Sequence, residues 1–182
     1  LFTDYEAQRK KKEEEERLAK GMIIVNGDAE DTANATAFYG ETNNATVEIY
    51  EDPDKGNVWK VTPAAGKVWA YIRQKTPFTP GMTYSVSVDI KLTGTLAKTE
   101  DVETDIYCNT IYTGADGKTD HNFLFTDKKI STNDGWQTYT FEFTIPEDTT
   151  FRDKDCFSFY ANPIGDEGVG YMLDNIVIEK AN

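Results

Sequence analysis

Strict alternation of apolar and polar residues is the feature that most restricts the fold of this sequence. In YSVSVDIKL (84–92), every second residue from Tyr84 to Leu92 is apolar or aromatic, and the residues between them are polar. WQTYTFEFTI (136–145) repeats the pattern. A period of two is that of a β-strand whose two faces have different surroundings. The pattern therefore predicts strands with one face on an apolar core and the other in water.

Weaker alternation extends this prediction over most of the remaining chain. It occurs in ATVEIYE (45–51), NVWKVT (57–62), TDIYCNTIY (104–112), CFSFYAN (156–162) and GYMLDNIVIE (170–179). Turn-forming sequences such as DPDKGN (52–57) and TNDG (132–135) separate the predicted strands. Eight or more amphipathic strands at this spacing predict an all-β fold, a two-sheet antiparallel β-sandwich, and 182 residues suffice for one such domain.

The first residues have a different, helical character. Residues 5–20, YEAQRKKKEEEERLAK, are predicted to form a charged helix that ends at Gly21, a residue type suited to a left-handed C-terminal cap. This helix has almost no apolar stripe and therefore little surface to bury. We predict that residues 1–21 are a helical connector to a neighbouring domain and that residues 22–182 are the β-sandwich. A helix that docks onto a partner is the alternative.

The net charge of −13 restricts the partners of this chain, since 32 Asp and Glu oppose 19 Lys and Arg. Such a surface does not neutralise phosphate, which argues against nucleic acid and against an anionic membrane. A neutral ligand or a cation is compatible with it. No apolar run is long enough to insert across a bilayer. Because the sequence begins LFTDYEAQ, without an initiator Met, we expect it to be a piece of a larger protein.

Catalytic motifs are scarce in the sequence. His121 is the only histidine, so a Ser–His–Asp or Cys–His arrangement has a single possible base. There is no Gly-x-Ser-x-Gly motif and no Cys/His cluster with zinc spacing. Cys108 and Cys156 are compatible with a disulfide or with two buried free thiols. We predict that the chain is not an enzyme, with a two-carboxylate glycosidase as the alternative that its many acids leave open.

Acidic residues near the two ends of the β region form a candidate metal site. The segment NGDAE carries Asp28 and Glu30, and YMLDN carries Asp174. The terminal strands of a sandwich commonly lie side by side, so these carboxylates could converge. Backbone carbonyl groups from the turn KGN (55–57) could then complete an oxygen cage for Ca²⁺. The alternative is that these acids are solvated turn residues.

The strand GKVWAYIRQ (66–74) has its aromatic rings on an unexpected side. Alternation places Trp69, Tyr71 and Arg73 on one face, and Val68, Ala70 and Ile72 on the other. Since the second face is already apolar, it is predicted to be the core side, which leaves the rings on an open sheet. The other two tryptophans, Trp59 and Trp136, are predicted to be core residues.

Four segments in this order resemble the carbohydrate-binding modules of families four, nine and twenty-two. They are IIVNGDAE, GNVWKVTPAAGKVWAYIRQKTPFTPGMTYSVSVDIKL, WQTYTFEFTIPED and GYMLDNIVIE, and the resemblance covers about residues 22–180. The Ser-Arg pair of family twenty-two is replaced by Pro63 and Ala64, and its acidic residue in the penultimate strand by Ala161. The sequence is therefore more similar to family four.

The resemblance implies a jelly roll with a structural calcium and a cleft for a β-glycan. The implied calcium ligands are the side chains of Glu30 and Asp174, with backbone oxygen from Gly27 or Asp28 and from the turn 55–57. The implied sugar platform is Trp69, with Tyr71 and Arg73 beside it. The implied second aromatic is Tyr112 or Phe123, and the implied polar partners are Tyr160 and Asn162. Edge hydrogen bonds to sugar hydroxyl groups are also expected from multidentate side chains, for which the candidates are Arg73, Gln74, Asn109, Asn122 or Asn162.

The resemblance also implies a function and a location. It predicts a non-catalytic module, secreted or at the cell surface, that binds a β-glycan and brings an attached polysaccharide-degrading enzyme such as an endo-xylanase to its substrate. Xylan is the first expected ligand and β-glucan the second, and the module is expected to be monomeric within a multidomain chain. The alternative is a structural or adhesive β-sandwich of a surface protein that binds a protein partner.

Overall fold

The computed structural model describes residues 2–19, 21–40, 43–67, 70–94, 103–113, 119–125, 129–131, 135–151, 157–163 and 169–181. Within these residues one α-helix is followed by a short 3-10 helix (Thr32–Asn34) and ten strands. The elements are α1 (Phe2–Ala19), β1 (Ala45–Asp52), β2 (Gly56–Pro63), β3 (Ala70–Gln74), β4 (Thr83–Gly94), β5 (Glu103–Thr113), β6 (Thr119–Phe125), β7 (Lys129–Ser131), β8 (Gln137–Thr144), β9 (Phe157–Pro163) and β10 (Val169–Lys180).

The strands form two antiparallel sheets, which confirms the predicted all-β sandwich. Sheet A has the order β1-β2-β10-β4-β8, and sheet B has the order β3-β9-β5-β6, with β7 paired to β5. Neighbours in the sheets are distant in sequence, as in β2 with β10 and β3 with β9. Each sheet therefore depends on contacts between both halves of the chain.

Strand β4 shows how the alternating sequence builds the core. Its apolar and aromatic residues from Tyr84 to Leu92 are all buried, and the polar Ser85 and Ser87 between them are only half-buried. Its neighbour β8 agrees with this pattern, since Phe143 is buried and Glu142 is exposed. Burial of one face of each strand supplies the main favourable free energy of this fold.

Two large aromatic residues connect the core to its surroundings. Trp59 on β2 is fully buried, as predicted, and its Nε1 donates a hydrogen bond of 2.7 Å to the carbonyl oxygen of Asn26. Tyr171 on β10 is also buried, and its hydroxyl lies 2.6 Å from the carbonyl oxygen of Ala70 and 2.9 Å from that of Phe159. Because these two carbonyl groups belong to β3 and β9, the Tyr171 hydroxyl is bonded to sheet B from sheet A.

The charged helix is attached to the sandwich mainly through Arg17. Its Nη1 donates to the carbonyl oxygens of Met22 at 2.7 Å and Ile24 at 3.3 Å. Of the other helix side chains that the structure describes, all are exposed. In the described part of the chain, no helix has the length and apolar character needed to cross a membrane. The helix is therefore held at its end by Arg17, and its described side chains other than Arg17 pack no apolar face onto the sheets.

Candidate functional site

Strand β3 presents two different faces. Ala70, Ile72 and Gln74 are buried, whereas Tyr71 and Arg73 are half-buried on the opposite face. This confirms the prediction that the Ala70–Ile72 side is the core side. The Arg73 guanidinium carbon lies 4.6 Å from the centre of the Tyr71 ring, within the range of a cation–π interaction. Sheet B therefore carries an aromatic ring and a cation on its outer face.

Tyr39 extends this outer face by one residue. Its backbone N–H donates to the carbonyl oxygen of Arg73 at 3.0 Å, and the Arg73 N–H donates back to Tyr39 at 2.8 Å. Residues that exchange both hydrogen bonds lie directly opposite each other and share a face of the sheet. Tyr39 is 41% exposed, whereas the preceding Phe38 is buried in the core. Sequence reasoning missed Tyr39, although two consecutive aromatic residues already indicate one inward and one outward ring.

Gln74 does not take the role that was expected of it. Its side chain is only 5% exposed and bonds to the backbone on three sides, with Val25 N–H and Val25 O at 2.8 Å and Ala37 O at 3.1 Å. The prediction that it donates to a sugar hydroxyl is therefore wrong. Its amide instead joins β3 to the segment that carries Tyr39.

The central predicted residue, Trp69, lies outside the described residues, as does Val68. For Tyr160 and Phe123 the structure describes the backbone position. Tyr160 on β9 is directly opposite Tyr71 on β3. Phe123 on β6 belongs to the cross-strand row that contains Arg73, through the pairs Arg73–Ser158, Ser158–Asn109 and Asn109–Phe123. The register thus brings these two residues into the rows of Tyr71 and Arg73.

The remaining two predicted contact residues stand in other rows. Asn162 on β9 is opposite Asp105 on β5, and Tyr112 on β5 is opposite Asp120 on β6. Tyr112 and Phe123 were the two candidates for the second aromatic contact. Of these, Phe123 lies in the cross-strand row that contains Arg73.

The predicted metal ligands lie near one another in the backbone. The Ile176 N–H donates to the carbonyl oxygen of Gly27 at 3.0 Å, so the segment with Asp28 and Glu30 adjoins the segment with Asp174. Glu30 Oε1 lies 4.0 Å from the position that a Cβ on Gly56 would occupy, which places it beside the turn between β1 and β2.

The side chains of these acids have different surroundings. Asp28 and Glu30 are exposed and border a cavity of about 660 Å³ beneath α1, whereas Asp174 is buried. Asp174 Oδ2 lies 3.6 Å from Lys55 Nζ. In the residues whose side chains the structure describes, no three Asp, Glu, His or Cys side chains are grouped so that they could hold a metal together. The oxygen chemistry suits Ca²⁺, but a cation would have to compete with the Lys55 ammonium for Asp174.

A polar network on the outer face of sheet A surrounds that ammonium. Lys55 Nζ lies 2.6 Å from Asp89 Oδ2, and Asn175 Nδ2 donates to both Asp89, at 2.9 Å, and Asp174, at 3.1 Å. Trp136 borders this network, with Lys55 Nζ 5.4 Å from its ring centre. Trp136 is half-buried and lies outside the core, so the prediction that it is a core residue is wrong.

Comparison with known proteins agrees with this architecture. The sequence model of a family described as "Carbohydrate binding domain", of the family 4 and 9 type, matches residues 21–155. No curated protein matches the chain. The CBM22-1 xylan-binding domain of Paenibacillus barcinonensis Xyn10C has a TM-score of 0.64 at 12% identity, over 88% of this chain and 95% of that one.

Two further solved structures share the fold. The C-terminal family 22 carbohydrate-binding module of Clostridium thermocellum Xyn10B has a TM-score of 0.65 at 16% identity, over 90% of this chain and 97% of that one. The enzymatically active domain of bacteriophage CBA120 tailspike protein 4 has a TM-score of 0.57 at 13% identity, over 88% of this chain and 22% of that one. At these identities the likeness concerns the fold.

Proposed function

Because the chain belongs to the carbohydrate binding domain family whose sequence model spans residues 21–155, we propose that residues 22–182 bind a β-glycan chain on the outer face of sheet B. Domains of this type are non-catalytic, so the binding itself is the activity. Xylan is the first ligand to test and β-glucan the second. The choice of xylan is supported by the xylan-binding domains among the structures that share the fold.

The arrangement on β3 carries this proposal. Tyr71 and Arg73 lie on the face opposite the buried Ala70 and Ile72, and Tyr39 continues that face at the sheet edge. A β-linked pyranose has C–H groups on its ring faces and hydroxyl groups around its edge. Flat tyrosine rings can stack on the C–H groups of the ring faces, and guanidinium N–H groups can donate hydrogen bonds to the hydroxyl groups.

The other predicted contacts are part of the same proposal. Trp69 would provide the main stacking platform, two positions before Tyr71 in the sequence. Tyr160 and Phe123 would contribute from β9 and β6, whose rows contain Tyr71 and Arg73. Asn162 and Tyr112 are the weaker candidates, because they stand in other rows. We propose that these residues border a cleft that receives the glycan chain.

A site of this size supports a targeting role, because it binds with modest affinity. A few stacked rings and hydrogen bonds correspond to a Kd of about 1–100 μM. An attached enzyme gains from such binding by a raised local substrate concentration. We propose that the module is monomeric, is secreted or at the cell surface, and is linked through residues 1–21 to a polysaccharide-degrading enzyme such as an endo-xylanase.

Affinity electrophoresis tests the proposal directly. The chain is run in native gels that contain xylan, β-glucan, mannan or starch, and retardation by xylan is expected. Tyr71→Ala and Trp69→Ala should each weaken retardation at least about threefold, since a stacked ring contributes on the order of 1 kcal/mol. Tyr50→Ala is the matched control, because Tyr50 is an exposed tyrosine on sheet A.

Two results would contradict the proposal in different ways. No retardation by any polysaccharide would remove the binding function and leave a structural or adhesive sandwich as the better account. Retardation that Tyr50→Ala reduces and Tyr71→Ala does not would move the site from sheet B to sheet A.

Calcium is a separate proposal, for a site at Glu30, Asp28 and Asp174 beside the turn between β1 and β2. It is supported by the position of Glu30 next to Gly56 and by the hydrogen bond that joins Gly27 to β10. A structural Ca²⁺ binds the folded state and should raise the melting temperature by several degrees over a chelator-treated sample. Glu30→Gln should abolish that difference, and a melting temperature indifferent to the chelator would eliminate the site.

A further inference from the structure

We propose that α1 is a rigid arm that leaves the sandwich at a fixed angle, because Arg17 and a hydrogen-bonded cap join its last turn to sheet A. The arm sets the orientation of a domain linked to the N-terminal end of α1 relative to the outer face of sheet B. This inference goes beyond the proposed glycan binding and does not require it. It concerns how the module is presented and not what the module binds.

The joint begins with the C-terminal cap of the helix. Gly21 has a left-handed φ of 66°, and the Met22 N–H donates to the carbonyl oxygen of Arg17 at 3.1 Å. A hydrogen bond to the fifth preceding residue, closed around a left-handed glycine, is the Schellman arrangement. A Cβ on Gly21 would lie 3.3 Å from the side chain of Lys180, so the cap itself packs against the end of β10. The cap therefore turns the chain in one defined direction.

Three backbone contacts join the residues of the cap directly to β10. They are the bridge between Met22 and Glu179, the hydrogen bond of 2.9 Å from the Ile23 N–H to the carbonyl oxygen of Ile178, and that of 3.3 Å from the Lys180 N–H to the carbonyl oxygen of Gly21. The sequence has one residue between Ala19, where α1 ends, and Gly21. A joint this short differs from a flexible linker, whose many free torsions allow a domain to swing.

The side chain of Arg17 closes the joint from the helix side. Its Nη1 donates to the carbonyl oxygens of Met22 at 2.7 Å and Ile24 at 3.3 Å, both of which lie beyond the cap. Its Nε and Nη2 donate to the two carboxylate oxygens of Glu14 at 2.8 Å and 2.7 Å. One half-buried guanidinium thus bonds to the helix and to the segment that follows it. A change in the angle of α1 would break these bonds.

The body of the helix is supported by its own charges. Ion pairs between residues four apart run along it, namely Arg9–Glu13 at 3.4 Å, Lys11–Glu15 at 3.8 Å and Lys12–Glu16 at 3.8 Å. Such pairs stabilise a helix without the help of a neighbouring element. The cavity of about 660 Å³ lies between α1 and residues 25–31, so the angle of the helix is set at the joint. With 18 residues, the arm is about 27 Å long.

Residual dipolar couplings measured by NMR test the inference on the whole chain. The magnitude of alignment is fitted separately to backbone N–H couplings from α1 and from the strands, in a weakly aligning medium. For a rigid arm both sets fit one alignment tensor, and the ratio of the helix magnitude to the strand magnitude is close to one. A helix on a free joint averages its couplings, and the ratio should then fall below about 0.6, the order of a flexible segment.

Variants assign the rigidity to the joint. Two glycines inserted after Lys20 give the ratio of a free joint. Arg17→Met keeps a good helix former but removes the donors, so it should move the ratio at least about half of the way to that value. Arg9→Met is the matched control, because it removes the same charge from the same helix but breaks an ion pair within α1, and it should leave the ratio near one. Cα chemical shifts show in each variant that α1 is still helical.

Each contrary outcome has a definite meaning. A ratio well below one in the unaltered protein would overturn the rigid arm, and so would a ratio that Arg17→Met leaves unchanged. An equal fall in Arg9→Met would show that helix stability and not the joint controls the orientation, which also contradicts the inference. These results are independent of the ligand. Absence of xylan retardation would remove the proposed function and leave the rigid arm in place.

Discussion

Asp89 and Asp174 lie directly opposite each other on β4 and β10, yet their surroundings shift their pKa values in opposite directions. Burial alone would raise the pKa of Asp89, but hydrogen bonds from Lys55, Thr138 and Asn175 outweigh it and lower that pKa. At Asp174 burial prevails over the Asn175 N–H and the Lys55 charge, and the pKa is raised. Two like acids a few ångströms apart thus have opposite effects on the pH dependence of stability.

Asp89→Asn and Asp174→Asn should therefore change the pH dependence of unfolding with opposite signs. The folded-state pKa of Asp89 is below the unfolded value, so its stabilisation is complete above the ordinary Asp pKa and is lost as pH falls through the folded pKa. For Asp174 the folded state disfavours the charged form. The resulting loss of folding stability grows as pH rises from the ordinary Asp pKa through the raised folded-state pKa. Relative to the unaltered protein, Asp89→Asn should lose stability on going from about pH 3 to about pH 7, and Asp174→Asn should gain.

Urea denaturation in chelator-containing buffer across this range measures both differences. Pro53 lies in the same turn as Lys55 and does not titrate, so Pro53→Ala serves as a control whose difference should be independent of pH. Parallel slopes for the two Asp variants would contradict the opposite pKa shifts.

Lys55→Met should lower the free energy of unfolding by about 1–3 kcal/mol at neutral pH. Lys55 Nζ lies 2.6 Å from Asp89 and 3.6 Å from Asp174, and both carboxylates are buried. Removal of the ammonium leaves two negative charges close together with less compensation. Lys60→Met, which removes a cation that lies over a tyrosine ring, should cost less. Equal losses would mean that the two carboxylates do not depend on Lys55.

Tyr171→Phe should weaken glycan binding as well as stability. The hydroxyl is buried, which raises the pKa of Tyr171 well above its usual value and keeps the group protonated. Without it, the carbonyl groups of Ala70 and Phe159 lose a donor, at a cost of about 1–2 kcal/mol. Since Ala70 precedes Tyr71, the start of β3 should become less well positioned.

Tyr84→Phe separates the two effects of that change. Tyr84 is equally buried, but its hydroxyl accepts a 2.8 Å hydrogen bond from Thr79, just before its own strand in sheet A. The Tyr84→Phe substitution should lower the melting temperature and leave xylan retardation unchanged. If Tyr171→Phe behaves in the same way, the contact between the sheets does not position the binding face.

Gly27→Ala should destabilise the fold severely, by about 3 kcal/mol or more, because a Cβ there would lie 2.0 Å from the carbonyl oxygen of Ile176. The backbone on both sides would have to move, and the loop with Asp28 would move with it. Gly66→Ala has open space around its Cβ but a left-handed φ of 72°, so it should cost only about 1 kcal/mol. Thermal melting of both variants ranks these costs, and a smaller loss for Gly27→Ala would contradict the clash.

The period-two pattern carried most of the fold prediction, because it reports directly which face of a strand is buried. It assigned β4 correctly and separated Ala70 and Ile72 from Tyr71 and Arg73. Gln74 belongs to the same alternation class as Ile72, so the pattern already predicted its burial. Its polarity suggested a sugar contact instead, and that was the error.

Contacts made across long distances in sequence could not be predicted in this way. Tyr39 follows an irregular segment, and its pairing with Arg73 depends on a sheet edge that alternation does not identify. Lys55 forms its ion pair with Asp89 only because the turn between β1 and β2 folds toward β4. Trp136 begins an alternating strand, yet its ring lies beside Lys55 on the outer face.

The central place of β10 in sheet A has a consequence for synthesis of the protein. β10 is the last strand of the sandwich to be translated, and it lies between the β1–β2 pair and the β4–β8 pair. Until residues 169–180 leave the ribosome, no strand joins the β1–β2 pair to the β4–β8 pair. The edges of β2 and β4 then present unpaired backbone groups. Completion of sheet A is therefore a late event, and the nascent chain is open to chaperones or to mispairing up to that point.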